Sequence, residues 1–343
     1  MKKLVLIDSN AIIHRAYHSI PKSFTSRKGE QTNATYGFTT TLIKVLEDLK
    51  PDYVAASFDV QKKTFRHEQY AEYKATRVKA DQELYDQIPR VKELLTTLNI
   101  PIFEEGGYEA DDCLGTITKL THGVEVYIVT GDKDLFQLLN GEIFVYWLKK
   151  GLSEAAVVGS KEIKEIFNLD PGDFIDLKAL AGDASDNIPG VPGIGPKTAT
   201  TLIQRFDTLE NLFDRIAQSV EKAGLISKSE FLISNQIPNP NDQILKQISG
   251  ELDISPRILN LLIEHKNQAF LSQRLATIHK DVPMDFDLEQ CKWGDYDKEK
   301  LKSLFEELGF HSLLKRFGVE KSETPKTKDA LEQKKKDEQL KLL

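Results

Sequence analysis

Nine acidic residues stand where segments of the chain end: Asp8, Asp59, Glu109, Asp111, Asp112, Asp132, Asp134, Asp183 and Asp186. In GGYEADD, Glu109 and Asp112 are three apart and share a helix face, with Asp111 one step round. Acids at a helix start also cap it and favour the positive end of its dipole, so this segment alone reads equally well as capping. Asp132 and Asp134 in TGDKDLFQLL, and Asp183 and Asp186 in LAGDASDNIPG, are individually as easily turn residues. Their sum argues for chemistry, because a fold that gathers so many carboxylates must neutralise them with cations. Oxygen-only donors select hard ions, Mg²⁺ or Mn²⁺, over zinc. Two such ions can activate a water and stabilise both the attacking and the leaving oxygen of an in-line phosphoryl displacement. His14 and His18 lie near Asp8 but on a helical pattern, where they are expected to pack or face solvent.

Two further segments offer phosphate chemistry. QKKTFRHEQYAEYKATRVK, from Gln61 to Lys79, carries Lys62, Lys63, Arg66, Lys74, Arg77 and Lys79 against Glu68 and Glu72. Charge runs are usually solvated faces, but Tyr73, Lys74 and Arg77 combine an aromatic ring that can stack a base with cations that can hold phosphates. NIPGVPGIGPKTATTLIQRF, from Asn187 to Phe206, reads as a helix-hairpin-helix element, or more plainly as an interhelical turn. Gly193 and Gly195 permit a tight hairpin with close backbone approach, and Pro196 suits the first helical position. The amides of Lys197 and Thr198 can then bind a phosphate without regard to base sequence. The net charge of −7 argues only weakly against nucleic acid, since the chain is net positive once the nine candidate ligands are set aside.

The elements that must position these residues are legible as alternation. KLVLI before Asp8, YVAASF before Asp59 and VYIVTG before Asp132 are short, β-rich runs. Helical segments, Tyr36 to Leu49 and Leu84 to Leu98, separate them, giving a βαβ order and a mostly parallel central sheet with flanking helices. Acids directly after such strands converge on the carboxyl edge, where α/β sheets bind ligands. The expected division is an α/β core over 1–160, a helical region with the hairpin over 161–317, and a lysine-rich, flexible charged tail over 318–343. At 343 residues two cores are expected. No run of about 18 apolar residues exists to span a membrane, and the two cysteines, Cys113 and Cys291, have no metal-ligand spacing, so a soluble protein of a reducing cytoplasm is expected.

These motifs, in this order, resemble the 5′ nuclease domain found at the N-terminus of bacterial DNA polymerase I, and more broadly the flap endonuclease superfamily. LIDSNAIIHRAYH, TFRHEQYAEYKATR, GYEADD, TGDKDLFQLL and GDASDNIPGVPGIGPKTA carry the resemblance, which runs from Leu4 to about Phe317. It implies a PIN-like core and a structure-specific 5′–3′ exonuclease and flap endonuclease acting at 5′ flaps, nicks, free 5′ ends and RNA primers in replication and repair. The nine carboxylates would hold two or more Mg²⁺ ions, with Mn²⁺ as a substitute, directly or through water. Lys74 and Arg77 would polarise the scissile phosphate, Tyr73 would stack beside it, and Arg15 and Arg66 would contact DNA. A helical arch would rise around 61–90. The hairpin from Gly193 to Thr198 would grip the downstream duplex, with a K⁺ ion on its backbone carbonyls. The implied protein is monomeric and nucleoid-associated, with a DNA polymerase as a possible partner. No polymerase segment follows, so the chain reads as a stand-alone nuclease or as part of a longer one. RVKADQEL after Arg77 departs from the proline-rich stretch of relatives and puts the shape of the arch in question.

Three rival readings are weaker. An inactive DNA-junction module would lack a ligand, yet all nine positions are acidic. A hydrolase with Asp8 as nucleophile wants a second acid two residues on, where Asn10 stands. A small ribonuclease of related type leaves the second helical region unused.

Overall fold

The computed structural model describes residues 1–60, 62–150, 154–233 and 242–318. Gln61 and the expected tail beyond Gly318 lie outside these residues. Six strands form one sheet: β1 (Lys3–Asp8), β2 (Tyr53–Ser57), β3 (Ile102–Phe103), β4 (Glu125–Thr130), β5 (Ile143–Lys150) and β6 (Glu154–Val158). Their order is β3-β2-β1-β4-β5-β6, parallel except for β6, which pairs antiparallel with β5 at the edge. The three strands expected from the sequence are thus the central three. Because the chain leaves β1 toward β2 on one side and later returns on the other as β4, the sheet order reverses at β1. The crevice at that reversal is where α/β folds place their sites.

Alternation along the strands divides the interior into two layers. Leu4 and Leu6 of β1, with Val126 and Ile128 of β4, pack beneath the Ala110–Leu120 helix and continue into the later helices through Phe174, Leu202, Phe213 and Leu262. Val5, Ile7, Val54 and Val129 face the opposite layer, formed by the Ser9–Ser19, Asn33–Leu49 and Ile88–Thr97 helices. The Lys298–Leu308 helix joins this second layer through Leu301, Leu304 and Phe305. Strands buried on both faces read as continuous apolar runs, which is why β1, β2 and β4 stand out in the sequence.

The expected Leu84–Leu98 helix is divided into Gln82–Tyr85 and Ile88–Thr97. Gln87, at the break, turns its buried amide to the Ala34 and Thr35 amides, accepting at 2.8 and 3.2 Å. It thereby caps the start of the Asn33–Leu49 helix. In the segment expected as an arch, the described residues hold only two short helices, Phe65–Gln69 and Gln82–Tyr85, joined by turns and extended chain. Beyond β6 the chain is helical: Ser160–Phe167, Asp173–Ala181, Pro196–Phe206, Leu209–Lys222 and, after further helices, Lys266–Ala276.

Candidate active site

Asp8 ends β1 and is also the N-cap of the following helix, its Oδ1 accepting the Ala11 amide at 3.2 Å. Its other oxygen accepts from the Thr130 hydroxyl at 2.6 Å, and the same hydroxyl accepts the Asp132 amide at 2.9 Å. Thr130, the last residue of β4, therefore ties two acidic strand ends together. Asp59, two residues beyond β2, accepts the Ala110 amide at 2.8 Å and donates its own amide to Asn10 Oδ1 at 3.1 Å. This draws the Ala110–Leu120 helix, with Asp111 in its first turn, to the same edge. A cavity of about 360 Å³ opens among Asp8, Asp59, Glu109, Asp111 and Asp132, with Lys74 on its rim.

Adjoining it is a cavity of about 750 Å³ that shares His14 and Asp132 and is lined further by Asp134, Lys178, Asp183 and Asp186. Asp134 follows β4 by a short loop, its amide donating to Asp132 at 2.9 Å. Asp183 and Asp186 sit in a tight turn closed by paired backbone bonds between Asp183 and Ile188, at 2.9 and 2.8 Å. Oxygens of Asp134, Asp183 and Asp186 all lie within 4.8 Å of one another. Gly182 and Gly190 make the turn possible. Both have positive φ, and a Cβ on Gly190 would fall 2.2 Å from the Gly182 nitrogen.

Crowding of like charges shows in the titration of the acids. Burial, and then the Asp132 charge, push the Asp8 carboxyl up to about 7. Asp134 is pushed up to about 7 by burial and Asp132, against the pull of Lys178. Burial and the charges of Asp8, Asp132 and Asp59 hold Asp111 well above the usual carboxylate range. For Asp183, burial is outweighed by the Lys178 ammonium and by Ser185, and its carboxyl lies below the ordinary value. Such a set, all oxygen and short of positive charge, fits hard divalent cations.

Cations from the Gln69–Asp81 stretch close over this edge. Lys74 Nζ donates to Glu109 at 2.6 Å and lies 3.8 Å from Asp186; its backbone has φ of 55°, a left-handed conformation rare outside glycine. Arg77 meets Asp186 at 2.5 Å. The Asn187 side chain donates to Glu72 O at 2.7 Å and the Lys74 amide to Asp186 O at 2.9 Å, so this stretch is docked on the Asp183–Ile188 turn.

Three expectations are corrected by these contacts. Asp112 is fully buried, and its two oxygens accept from both Arg66 terminal nitrogens, at 2.7 and 2.8 Å, and from the amides of Glu109 and His279. With its lone pairs so used, it is the counter-ion of a buried clamp rather than a metal ligand. Arg66, 2% exposed, also donates to Leu275 O and Thr277 O and has no face for DNA. Tyr73 is equally buried, its hydroxyl against Glu109 and Asp186 at 3.2 Å, so its ring offers no stacking surface. Of the hairpin residues, Gly193 has a positive φ of 83°, whereas Gly195 is extended at φ −92°. Lys197 and Thr198 line a separate cavity of about 300 Å³ with Arg205 and Ser255. Arg15 lines the larger acidic cavity, with its guanidinium so close over Gly131 that a Cβ there would lie 2.4 Å from Nη2.

Sequence reasoning passed over Lys178, Thr130 and the Gly182–Gly190 contact, and set His14 aside as a packing or solvent-facing residue. His14 borders both cavities, and burial, followed by His18 and Arg77, lowers its pKa. Lys178 had a signal: it stands one helical turn before GDASD, on the face that must look toward Asp183.

A mostly parallel sheet whose carboxyl edge gathers acids from three strand ends, joined to a helical region that supplies two more, defines an α/β protein with an acidic, cation-seeking centre. The chain belongs to the 5′-3′ exonuclease family. Residues 3–168 match the model described as 5′-3′ exonuclease, N-terminal resolvase-like domain, and residues 169–299 match 5′-3′ exonuclease, C-terminal SAM fold. DNA polymerase I of Bacillus subtilis (strain 168) is 37% identical over 324 residues, covering 94% of this chain. That of Bacillus caldotenax is 37% identical over 330 residues, covering 96%. The chain spans 33% of the length of each. Among solved structures, the zinc-bound T5 5′-exonuclease aligns with a TM-score of 0.54 at 20% identity, over 90% of this chain and 100% of that one. The catalytic core of Rad2 in complex with DNA substrate aligns with 0.52 at 20% identity, over 92% and 90%. At such identity these likenesses show the fold.

Proposed function

We propose that the chain is a divalent-metal-dependent, structure-specific 5′–3′ exonuclease and flap endonuclease that hydrolyses phosphodiesters of DNA, and of RNA primers, at 5′ flaps, nicks and free 5′ ends. The observation that carries this reading is the convergence of Asp8, Asp59, Asp111 and Asp132 with Asp134, Asp183 and Asp186 on one sheet edge, in a chain of this family. Asp8, Asp59, Asp111 and Asp132, with Glu109, would hold one Mg²⁺ and Asp134, Asp183 and Asp186 another; Mn²⁺ would substitute. When bound, the ions supply an activated water and charge stabilisation of the leaving oxygen.

Around them the chain's own residues have distinct tasks. Lys74 and Arg77, now paired with Glu109 and Asp186, are within reach of a phosphate entering the cleft and can donate to its non-bridging oxygens as charge develops. The left-handed backbone at Lys74 and the docking of Asn187 on Glu72 hold those donors at the acidic edge. Arg15 would take a neighbouring phosphate. The Gly193–Thr198 hairpin, set apart from the acids, would grip the downstream duplex through backbone amides, with K⁺ on its carbonyls, as a helix-hairpin-helix element. T5 5′-exonuclease has been solved with divalent ions bound, the T5 flap endonuclease with DNA and metal ions, and the Rad2 catalytic core with DNA substrate, in keeping with this substrate and these cofactors. Monomeric action at the bacterial nucleoid beside a DNA polymerase completes the proposal.

The test is a 5′-labelled flap substrate incubated with Mg²⁺ and resolved by product length. Intact flap fragments indicate cutting at the junction and mononucleotides indicate stepwise exonuclease action. No cleavage with Mg²⁺ or Mn²⁺ on any 5′-ended substrate overturns the proposal.

A further inference from the structure

Lys178 occupies a place where charge bookkeeping and geometry meet. It lies in the last turn of the Asp173–Ala181 helix, and its ammonium bonds to both Asp134 and Asp183. Its side chain is 19% exposed. Those two carboxylates, with Asp186, are the group whose oxygens converge within 4.8 Å. An ammonium bonded to two of three carboxylates supplies part of the positive charge, and fills part of the volume, that a divalent cation would bring. Lys74 makes a similar contact with Glu109 and Asp186, but from a stretch of turns over the cleft. Lys178 instead issues from a helix packed in the interior through Phe174, Ala179 and Leu180, so only its flexible four-carbon stem can swing clear.

We propose that Lys178 is an internal counter-ion that sets the metal affinity of the Asp134/Asp183/Asp186 cluster. Ammonium and metal compete for Asp134 and Asp183, so this cluster fills at higher metal concentration than the Asp8/Asp59/Asp111/Asp132 group. A substrate phosphate that draws Lys178 away strengthens the cluster's hold on its ion. Substrate and second cation then bind cooperatively, without any larger movement of the fold. This inference rests on the two-metal reading above. Lys178 acts here as a positioning residue, through the charge it presents to the ligands.

The experiment uses the metal-free full chain without nucleic acid, titrated with Mn²⁺ at a fixed pH of about 8, and followed by electron paramagnetic resonance of free Mn²⁺. Wild type is expected to show a tight and a weak class of site. Lys178→Met, which keeps the stem and removes the charge, should tighten the weak class by about tenfold or more. Lys178→Arg should leave it weak. Asp183→Asn should abolish that class in every background, which assigns it to the cluster. Because Lys178→Met also strips the acids of their counter-ion, its metal-free Tm should fall and be restored by Mn²⁺. A weak class unmoved by Lys178→Met, or moved equally by Lys178→Arg, overturns the inference while the tight class keeps the nuclease reading intact. Absence of both classes in wild type would overturn the two-metal reading itself.

Discussion

Among the acids, residue type alone does not separate ligands from structural charges; what each oxygen touches does. Asp112 and Asp132 are both aspartates in family motifs, yet one neutralises Arg66 while the other adds to the repulsion on Asp8. Asp132→Asn should therefore abolish cleavage, leave DNA binding near wild type, and preserve or raise the Tm of the metal-free protein. Asp112→Asn leaves a buried guanidinium half-paired, a change that costs about 3–5 kcal/mol, and should lower Tm by roughly 4–7 °C. Differential scanning calorimetry on both variants checks this, and equal Tm changes would refute the division of roles. A second prediction follows from protons. Asp8 and Asp134 are pushed up to about 7 when folded, against an ordinary value of 3.8. A raised folded pKa contributes stability that is full below the unfolded value and is lost as pH rises through the folded one. The Tm of metal-free protein should thus fall as pH rises from about 4 to about 8 and level off above that. Mg²⁺ should remove the fall, and Asp134→Asn should reduce it. A flat profile without metal would show that the acids are not crowded in solution.

Elements differ in how openly the sequence declares them. β1, β2 and β4 were legible because both their faces are buried, and the acids after them were legible because chemistry selects strand ends. The edge pair β5 and β6 was not marked, and β6 is only five residues long with Val158 alone fully buried. Burial of Arg66 and Tyr73 was illegible for a different reason: their partners lie as far away as Leu275 and Asp186, and an aromatic among cations looks the same whether it faces water or protein. The hairpin shows the same limit. Sequence pattern singled out Gly193 and Gly195, but the backbone contact that shapes the acidic turn is between Gly182 and Gly190. Gly190→Ala should overpack that contact, at a cost of about 1–3 kcal/mol or more, and displace Asp183 and Asp186, lowering Tm and Mn²⁺ affinity together. Gly195 is extended and has open space around its Cα. Gly195→Val should leave Tm nearly unchanged and weaken binding only to substrates with a long downstream duplex. Affinity measured against duplex length decides this, and equal loss at every length would remove the hairpin from the DNA interface.

At the scale of the whole molecule, the two sheet faces bind distant parts of the chain into one unit. Arg66 and Asp112 hold the backbone at Leu275, Thr277 and His279, and so fasten the later helices to the α/β portion. On the other face, Leu301, Leu304, Phe305 and Phe310 complete the layer begun by Val5 and Ile7. A chain ending at residue 297 should therefore lose much of that layer, although the matched family models end at residue 299. Its thermal transition should broaden and move down by well over about 10 °C relative to the full chain, as expected when several large apolar side chains are deleted. A sharp transition at the wild-type temperature would show that the helix adds nothing to the core.

Gly131 lines the larger acidic cavity and leaves space that Arg15 fills, the Arg15 Nη2 lying 2.4 Å from any Cβ placed there. Its tolerance of change is consequently not a property of position 131 alone. Gly131→Ala by itself should push the guanidinium aside and impair growth or repair in a selection that depends on the enzyme. The same substitution paired with the shorter Arg15→Ser should do no further harm beyond the loss at 15. In a pairwise mutational scan the two positions would then show epistasis, and in diverging lineages they would be expected to drift together or not at all.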